Sequence, residues 1–325
     1  MGPDVLWQTD LSDARAGYLL ERWLPAPVGL HDTFGIALDV AVVDSAVAYA
    51  LVSNGRVAAT GEARWHVTWP SDSDVMSPLV DLVARSKLWS LSDGIGGVDL
   101  HYEDRMIGLM AGFREGGPEA WLASTDDLVT GFTARFGPRR WGDAPYQLVL
   151  QPLQTAAGME YPNAATIVDL RGDILAHEVA HAWFGRTLVP ARHIDAWFDE
   201  AMAMWLTTTP AYGFDGYLPV DPWSSEATPV AHADPWTRQT FITAYRLGPR
   251  IVETLFERFG KDAFDGVWRD LIRDCSGRHL THHDLRRAFR ALGDADFVDA
   301  LFERWVIAPG DAEVLGTCLA IGGAP

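Results

Sequence analysis

Apolar and polar side chains alternate along the first part of the chain, and this period of two is typical of β-strands with one buried face. The alternation runs through short segments between residues 34 and 69. Within this region, Asn54-Gly55 is a dipeptide that favours the tight turn of a β-hairpin. We therefore expect an antiparallel sheet in a β-rich domain over residues 1–100. The alternation begins at Phe34, and the buried face would carry Phe34, Ile36, Leu38, Val40, Val42, Val47, Tyr49, Leu51, Trp65, Val67 and Trp69.

A helical period replaces the alternation in the last third of the chain. Apolar residues recur there at spacings of three and four, which predicts amphipathic helices. Thr281 with Asp284 resembles a capping box and would open one of these helices. Residues 208–236 contain five prolines, which predicts a loop with little regular structure. The apolar stripes of the helices are Ile251, Val252, Leu255, Phe256 and Phe259; Phe264, Val267, Trp268, Leu271 and Ile272; Leu285, Phe289 and Leu292; and Phe297, Leu301 and Trp305.

Short strands and one helix are predicted between these two regions. Thr125–Phe136 has a helical period and ends at Gly137-Pro138, a pair that stops helices. With a β-rich start and a helical end, the fold class is α+β, and a second domain with a mixed sheet and mainly helices would cover residues 101–325. The strands predicted from short apolar runs are Val98–Tyr102, Tyr146–Leu150, Gly158–Tyr161 and Thr166–Leu170.

The segment DILAHEVAHAWFG predicts a helix, with Asp173 capping its start and Gly185 just past its end. His177 and His181 are four residues apart, so both imidazoles leave the same face of this helix. Two nitrogens placed in this way can reach a single zinc ion. Glu178 points about a quarter turn away, where its carboxylate can reach a water molecule held on the metal.

A catalytic zinc ion needs a third protein ligand and one open position. Glu200 is the candidate, in a second predicted helix, Ala196–Leu206, with eighteen residues between it and His181. The intervening chain carries Pro190 and can reverse its direction. Thiolates are absent from this set of ligands, which favours Zn²⁺. Without the third ligand, the same pattern would describe a buried helix with two hydrogen-bonded histidines.

Three segments, in this order along the chain, resemble the gluzincin zinc aminopeptidases, the aminopeptidase N and leukotriene hydrolase family. They are AGMEYP at 157–162, HEVAHAWFG followed by DAWFDEA, and YRLG at 245–248. The resemblance covers about residues 100–310. It implies a thermolysin-like catalytic domain that binds one Zn²⁺ per chain through His177, His181 and Glu200. It also implies a shortened N-terminal domain and no C-terminal helical domain.

The resemblance assigns roles to further residues. Glu178 would act as general base toward zinc-activated water, and Tyr245 would donate a hydrogen bond to the oxyanion. Glu160 would bind the free α-amino group, with Gly158 and Met159 in the same substrate site. The implied function is an aminopeptidase-like hydrolase that removes an N-terminal residue from a peptide or small aminoacyl compound. Two alternatives stay open: a zinc enzyme of the same fold with another reaction, such as epoxide opening or a small-molecule biosynthetic step, and a zinc-stabilised binding module without turnover.

Composition indicates which binding partners are excluded and which cellular compartment to expect. A net charge of −18 argues against nucleic acid and anionic membranes as partners. It is compatible with a substrate that bears an amine, although solubility explains it equally well. The two cysteines, Cys275 and Cys318, imply no disulfide scaffold and a reducing compartment. The N-terminus lacks the features of a signal peptide, and no apolar run is long enough for a membrane span. We therefore predict a cytoplasmic protein and leave its oligomeric state open.

Four other polar residues of the helical part are candidates for a role near the metal. Asp195 would either orient a ligand histidine or lie on the surface. His279, His282 and His283 flank the predicted helix start at Thr281. We expect these histidines to lie in solvent and give them no role.

Overall fold

The structure is a computed structural model, and it describes residues 5–8, 35–73, 77–92, 97–104, 106–107, 117–150, 157–168, 170–208, 230, 243–307, 310–314, 316 and 318. The chain forms two compact units, residues 1–130 with 141–179 and residues 131–140 with 180–325. The domain division at residue 100 stays a prediction.

Antiparallel sheets form the described N-terminal part of the first unit. Tyr49, Trp65, Val67 and Leu82 are buried in one apolar cluster that includes side chains of both sheets. The predicted alternation is confirmed there, since Trp65 and Val67 are buried while the residues flanking them are more exposed. In spatial order, the sheets are β1 (Val5–Gln8), β6 (Val80–Ala84) and β3 (Tyr49–Ser53), and β2 (Ala37–Ala41), β5 (Arg64–Thr68) and β4 (Arg56–Gly61).

Asn54-Gly55 joins β3 to β4, which lie in different sheets, so the predicted hairpin is wrong. The Asn54 side chain accepts hydrogen bonds from the Trp69 indole N–H at 2.8 Å and the Leu79 backbone N–H at 3.0 Å. It also donates to the Pro162 carbonyl oxygen at 2.9 Å. A Cβ on Gly55 would lie 2.8 Å from the Trp69 ring. This dipeptide therefore serves tertiary hydrogen bonds and close packing, and not a two-residue hairpin turn.

A five-stranded mixed sheet occupies the rest of the described first unit. In spatial order its strands are β10 (Gly158–Tyr161), β11 (Ala164–Ile167), β9 (Tyr146–Leu150), β8 (Val98–Glu103) and β7 (Leu88–Ser92). The three central strands are parallel, and the two edge strands are antiparallel to their neighbours. β9 and β10 have their predicted bounds, and β11 begins two residues before its predicted start at Thr166. The predicted helix that ends at Phe136 lies within α1 (Pro118–Phe136).

The remaining described elements are mainly helical, which confirms the α+β class. The two helices predicted from 251–259 and 264–272 are confirmed: they are the two halves of a helical stretch that breaks at Gly260, where φ is 75°. The capping box of Thr281 and Asp284 is confirmed, with both reciprocal hydrogen bonds present. The helices are α2 (Gly172–Ala180), α3 (Trp197–Thr208), α4 (Gly248–Cys275), α5 (His282–Arg290) and α6 (Ala295–Trp305).

Aromatic side chains fill the core of the second unit. The Phe264 ring lies 5.2 Å from the Trp205 ring and 5.8 Å from the Phe289 ring, measured between centroids. Trp268 lies 6.0 Å from Phe289. These contacts join α3, α4 and α5. The apolar stripes predicted from the sequence supply this core, but the prediction is wrong for Leu292, which is 36% exposed.

Cys275 and Cys318 form a disulfide bond with a Cα–Cα distance of 5.1 Å. The expectation that the two cysteines form no disulfide bond is therefore wrong. Two cysteines 43 residues apart carry no pairing signal of their own in the sequence. Disulfide bonds are typical of oxidising compartments. The cytoplasmic location therefore stays a prediction.

The loop predicted at 208–236 lies outside the described residues, apart from positions 208 and 230, and so does Phe34. Among the helices of the described part, none combines the length and the apolar character needed to cross a bilayer.

Candidate metal centre

The first ligand helix, α2, begins at Gly172, so Asp173 lies in its first turn and does not precede it. After Ala180 the chain continues through turns to Gly185. The φ of Gly185 is 110°, in the left-handed region that favours glycine. Its backbone N–H donates to the Leu188 carbonyl at 2.9 Å. Gly185 therefore has the predicted left-handed conformation, but α2 ends at Ala180, earlier than the predicted stop directly before Gly185.

The three predicted metal ligands lie close together. One ligating atom from each of His177, His181 and Glu200 lies within 4.8 Å of the others. His181 Nε2 is 3.5 Å from Glu200 Oε2, and Glu200 lies in the first turn of α3. Both imidazoles are buried, and the carboxylate is half-buried. Two imidazoles and one carboxylate within this span match the donor set of a zinc centre with three protein ligands.

Asp199 is a further residue of this centre that sequence reasoning missed. Its carboxylate contacts Nδ1 of His181, which leaves Nε2 on the side of Glu200. A carboxylate at the second ring nitrogen fixes the tautomer and orientation of a ligand histidine and increases its basicity. A Cβ on Gly185 would overlap the Asp199 carboxylate. In the sequence, an acid in the first turn of a helix is already explained by the helix dipole.

Asp195 contacts a histidine outside this centre. The Asp195 carboxylate is fully buried, so its predicted surface alternative is wrong. It receives a 2.7 Å hydrogen bond from Arg192 and lies 2.7 Å from Nδ1 of His282. Asp199, and not Asp195, therefore takes the orienting position beside His181.

Replacing Asp199 with asparagine is expected to weaken zinc binding by about 10–100-fold, the usual cost of removing an orienting carboxylate. The amide keeps the size of the side chain but removes its charge. Zinc affinity measured by competition with a chromogenic chelator checks this. Asp270→Asn is the matched control, because Asp270 is exposed on α4 and pairs with Arg273. Equal zinc affinity in Asp199→Asn and the wild type would contradict the orienting role.

Glu178 lies beside β10. Its side chain is buried, and a Cβ on Gly158 would lie 2.5 Å from both Cγ and Oε1 of Glu178. Ligating atoms of Glu160, Glu178 and His181 also lie within 4.8 Å of one another. The carboxylate predicted as general base and the carboxylate predicted to bind an amine are therefore next to the metal ligands.

Successive side chains of β10 point to opposite faces of the sheet, so its predicted substrate-binding residues do not all lie on one face. Gly158 and Glu160 are two apart and share the face near Glu178. Met159 points the other way and packs against an apolar cluster that includes Tyr161. Within this strand, Met159 can therefore contribute its backbone to a substrate site, while Glu160 contributes its side chain.

Tyr245 lies in a π-helical turn, Thr243–Leu247, directly before α4. This turn contacts α3, the helix that carries Glu200. The Tyr245 side chain is half-buried. Its role as an oxyanion donor remains a prediction.

Solved structures with the same fold define the class of this chain: it has the fold of the M1 zinc metallopeptidases. One is the M1 zinc metallopeptidase of Deinococcus radiodurans, with a TM-score of 0.63 and 19% identity over 90% of this chain and 66% of that one. A mutant of the same enzyme, bound to a Tyr-Ser-Ala substrate, has a TM-score of 0.63 and 18% identity, covering 87% of this chain and 66% of that one. A two-domain M1 mutant bound to L-arginine has a TM-score of 0.61 and 17% identity, covering 92% of this chain and 68% of that one.

Two curated relatives with similar sequences are aminopeptidases. Aminopeptidase RNPEPL1 of Mus musculus and of Homo sapiens are each 28% identical to this chain over 144 residues. The match covers 41% of this chain and 17% of each relative. No family model matches the sequence. With the shared fold, these relatives confirm the predicted resemblance to the gluzincin aminopeptidase family.

Proposed function

We propose that this chain is a zinc-dependent, aminopeptidase-like hydrolase that removes an N-terminal residue from a peptide or a small aminoacyl compound. The observation that carries the proposal is the convergence of His177, His181 and Glu200, with the Glu178 carboxylate beside them. Two imidazoles and a carboxylate from neighbouring segments are the ligand set of zinc peptidases that keep one coordination position for water or substrate.

Zinc bound to these three residues would polarise the scissile carbonyl and lower the pKa of a water molecule to about 7. Glu178 accepts the proton of the attacking water and passes it to the departing amine. Its position next to Gly158 and His181 supports this role at the reacting centre. Tyr245 donates a hydrogen bond to the oxygen that becomes negative, a contribution of about 2.7–4 kcal/mol for a donor of this kind.

Glu160 supplies the preference for a free amino terminus. Its carboxylate is close to Glu178 and His181, so an ammonium group bound to it lies beside the reacting centre. A charge-assisted hydrogen bond between them fixes how far the substrate enters the site. Only the first peptide bond then reaches Glu178. The enzyme therefore removes the N-terminal residue, as an aminopeptidase does.

The test is a panel of aminoacyl chromogenic amides, each with a free or an acetylated amino group. The wild type is expected to cleave the free amines, and Glu160→Ala is expected to raise their KM by about tenfold or more, since a charge-assisted contact is lost. Glu62→Ala is the control, because Glu62 is exposed in the turn between β4 and β5.

Two outcomes would contradict parts of this proposal. Equal cleavage of free and acetylated amides by the wild type would exclude the role of Glu160. Stoichiometric zinc without cleavage of any amide would exclude the peptidase reaction and favour a different reaction of the same zinc centre.

A further inference from the structure

A second group of potential metal ligands lies at the start of α5. His282 and His283 were expected in solvent, and this expectation is wrong: their side chains are 0% and 5% exposed. One ligating atom from each of His282, His283 and Asp311 lies within 4.8 Å of the others. All three belong to the second compact unit.

The facing atoms of this group lack hydrogen bonds. His282 Nε2 lies 2.7 Å from Asp311 Oδ2, and His283 Nε2 lies 3.6 Å from the same oxygen. Despite the short distances, these two nitrogens and the oxygen are buried and have no hydrogen-bond partner of acceptable geometry. Buried polar atoms are normally hydrogen-bonded, because burying them without a partner is costly. A shared metal ion would satisfy all three atoms, which face one another.

Asp195 orients His282 from the opposite side of its ring. Its Oδ1 accepts the backbone N–H of His282 at 2.9 Å and lies 2.7 Å from His282 Nδ1. An ionised carboxylate at Nδ1 favours the tautomer whose Nε2 lone pair is free for a metal.

The ionised side chains around this group do not balance, and one more positive charge would neutralise them. Arg192 pairs with both Asp195 and Asp311, at 2.7 Å and 3.1 Å. Its bond to Asp311 uses Oδ1, so Oδ2 stays directed at the histidines. One guanidinium against two carboxylates gives a net charge of −1 with neutral histidines.

We propose that His282, His283 and Asp311 form a second zinc site, separate from the candidate centre at His177, His181 and Glu200. Two neutral imidazoles and one carboxylate suit Zn²⁺ better than Ca²⁺ or Mg²⁺, which prefer all-oxygen ligands. Zinc bound there would join the start of α5 to residues 310–314, and through Asp195 to the turn before α3.

The test is the zinc content of the full-length chain, stripped with a chelator, incubated with excess Zn²⁺ and desalted. The wild type is expected to retain about two zinc ions per chain, and His283→Asn and Glu200→Gln about one each. The double variant is expected to retain none. His279→Asn is the matched control and is expected to keep two, since His279 lies outside the ligand group. Asp311→Asn repeats the test if His283→Asn does not fold.

The result that would overturn the second site is a wild type that retains one zinc ion, lost in Glu200→Gln and kept in His283→Asn. Retention of two ions by both His283→Asn and Asp311→Asn would overturn it as well. If the wild type retains one ion that Glu200→Gln keeps and His283→Asn loses, the second site stands and the proposed hydrolase centre fails. If His282 is instead protonated and pairs with both Asp195 and Asp311, no metal binds there. The wild type then retains one zinc ion, which Glu200→Gln loses and His283→Asn keeps.

Discussion

Replacing Glu178 with glutamine is expected to lower kcat for aminoacyl amides by about 10²–10⁴-fold, the usual contribution of a positioned general acid–base group. Glutamine has the same shape as glutamate but cannot accept the proton of the attacking water. Zinc content is expected to be unchanged, because His177, His181 and Glu200 provide the ligands. Steady-state rates and metal analysis of the same preparations measure both quantities.

The two readouts separate the roles that Glu178 could have. If glutamine removes the zinc together with the activity, Glu178 is a ligand, and the alternative group of Glu160, Glu178 and His181 describes the centre. If kcat is unchanged, the proton acceptor lies elsewhere. The matched control is Glu257→Gln on α4, a glutamate outside both groups of candidate ligands.

Replacing Gly158 with alanine is the second change with a large expected effect. The added Cβ would lie 2.5 Å from Cγ and Oε1 of Glu178, so this side chain or β10 must shift. A displacement of about 1 Å at a catalytic group can cost about 10²-fold in rate. We expect a fall in kcat of that order with an unchanged zinc content.

Gly131→Ala is the control for this change, because a Cβ there meets no atom within 4 Å and the position lies inside α1. It is expected to leave kcat unaltered and to raise stability slightly, since alanine favours the helix by about 1 kcal/mol. A Gly158→Ala variant with wild-type kcat would show that Glu178 can move without loss. The proposed proton transfer would then need another acceptor.

Local patterns in the sequence predicted the elements well where side-chain period and end residues agreed. β9 and β10 were bounded correctly, and the capping box at Thr281 was identified from two residues. The candidate zinc centre could be predicted from the sequence for the same reason. His177 and His181 are four residues apart, in the last turn of α2 and directly after it, and only Glu200 required a contact with another element.

Features that depend on distant parts of the chain were missed or misjudged. Asn54-Gly55 has the composition of a hairpin turn, but its hydrogen bonds run to residues as far along the chain as Pro162. His282 was expected in solvent because its burial depends on Asp195 and Asp311, 87 and 29 residues away in the chain. No local pattern reports such partners, since each becomes visible only when the chain is folded.

The bond between Cys275 and Cys318 closes a covalent ring that contains His282, His283 and Asp311. A protease that cuts this ring once produces two fragments that stay joined until a reductant is added. The proposed second set of ligands thus stays on one molecule after such a nick. Electrophoresis of nicked protein would show a single band without reductant and two bands with it.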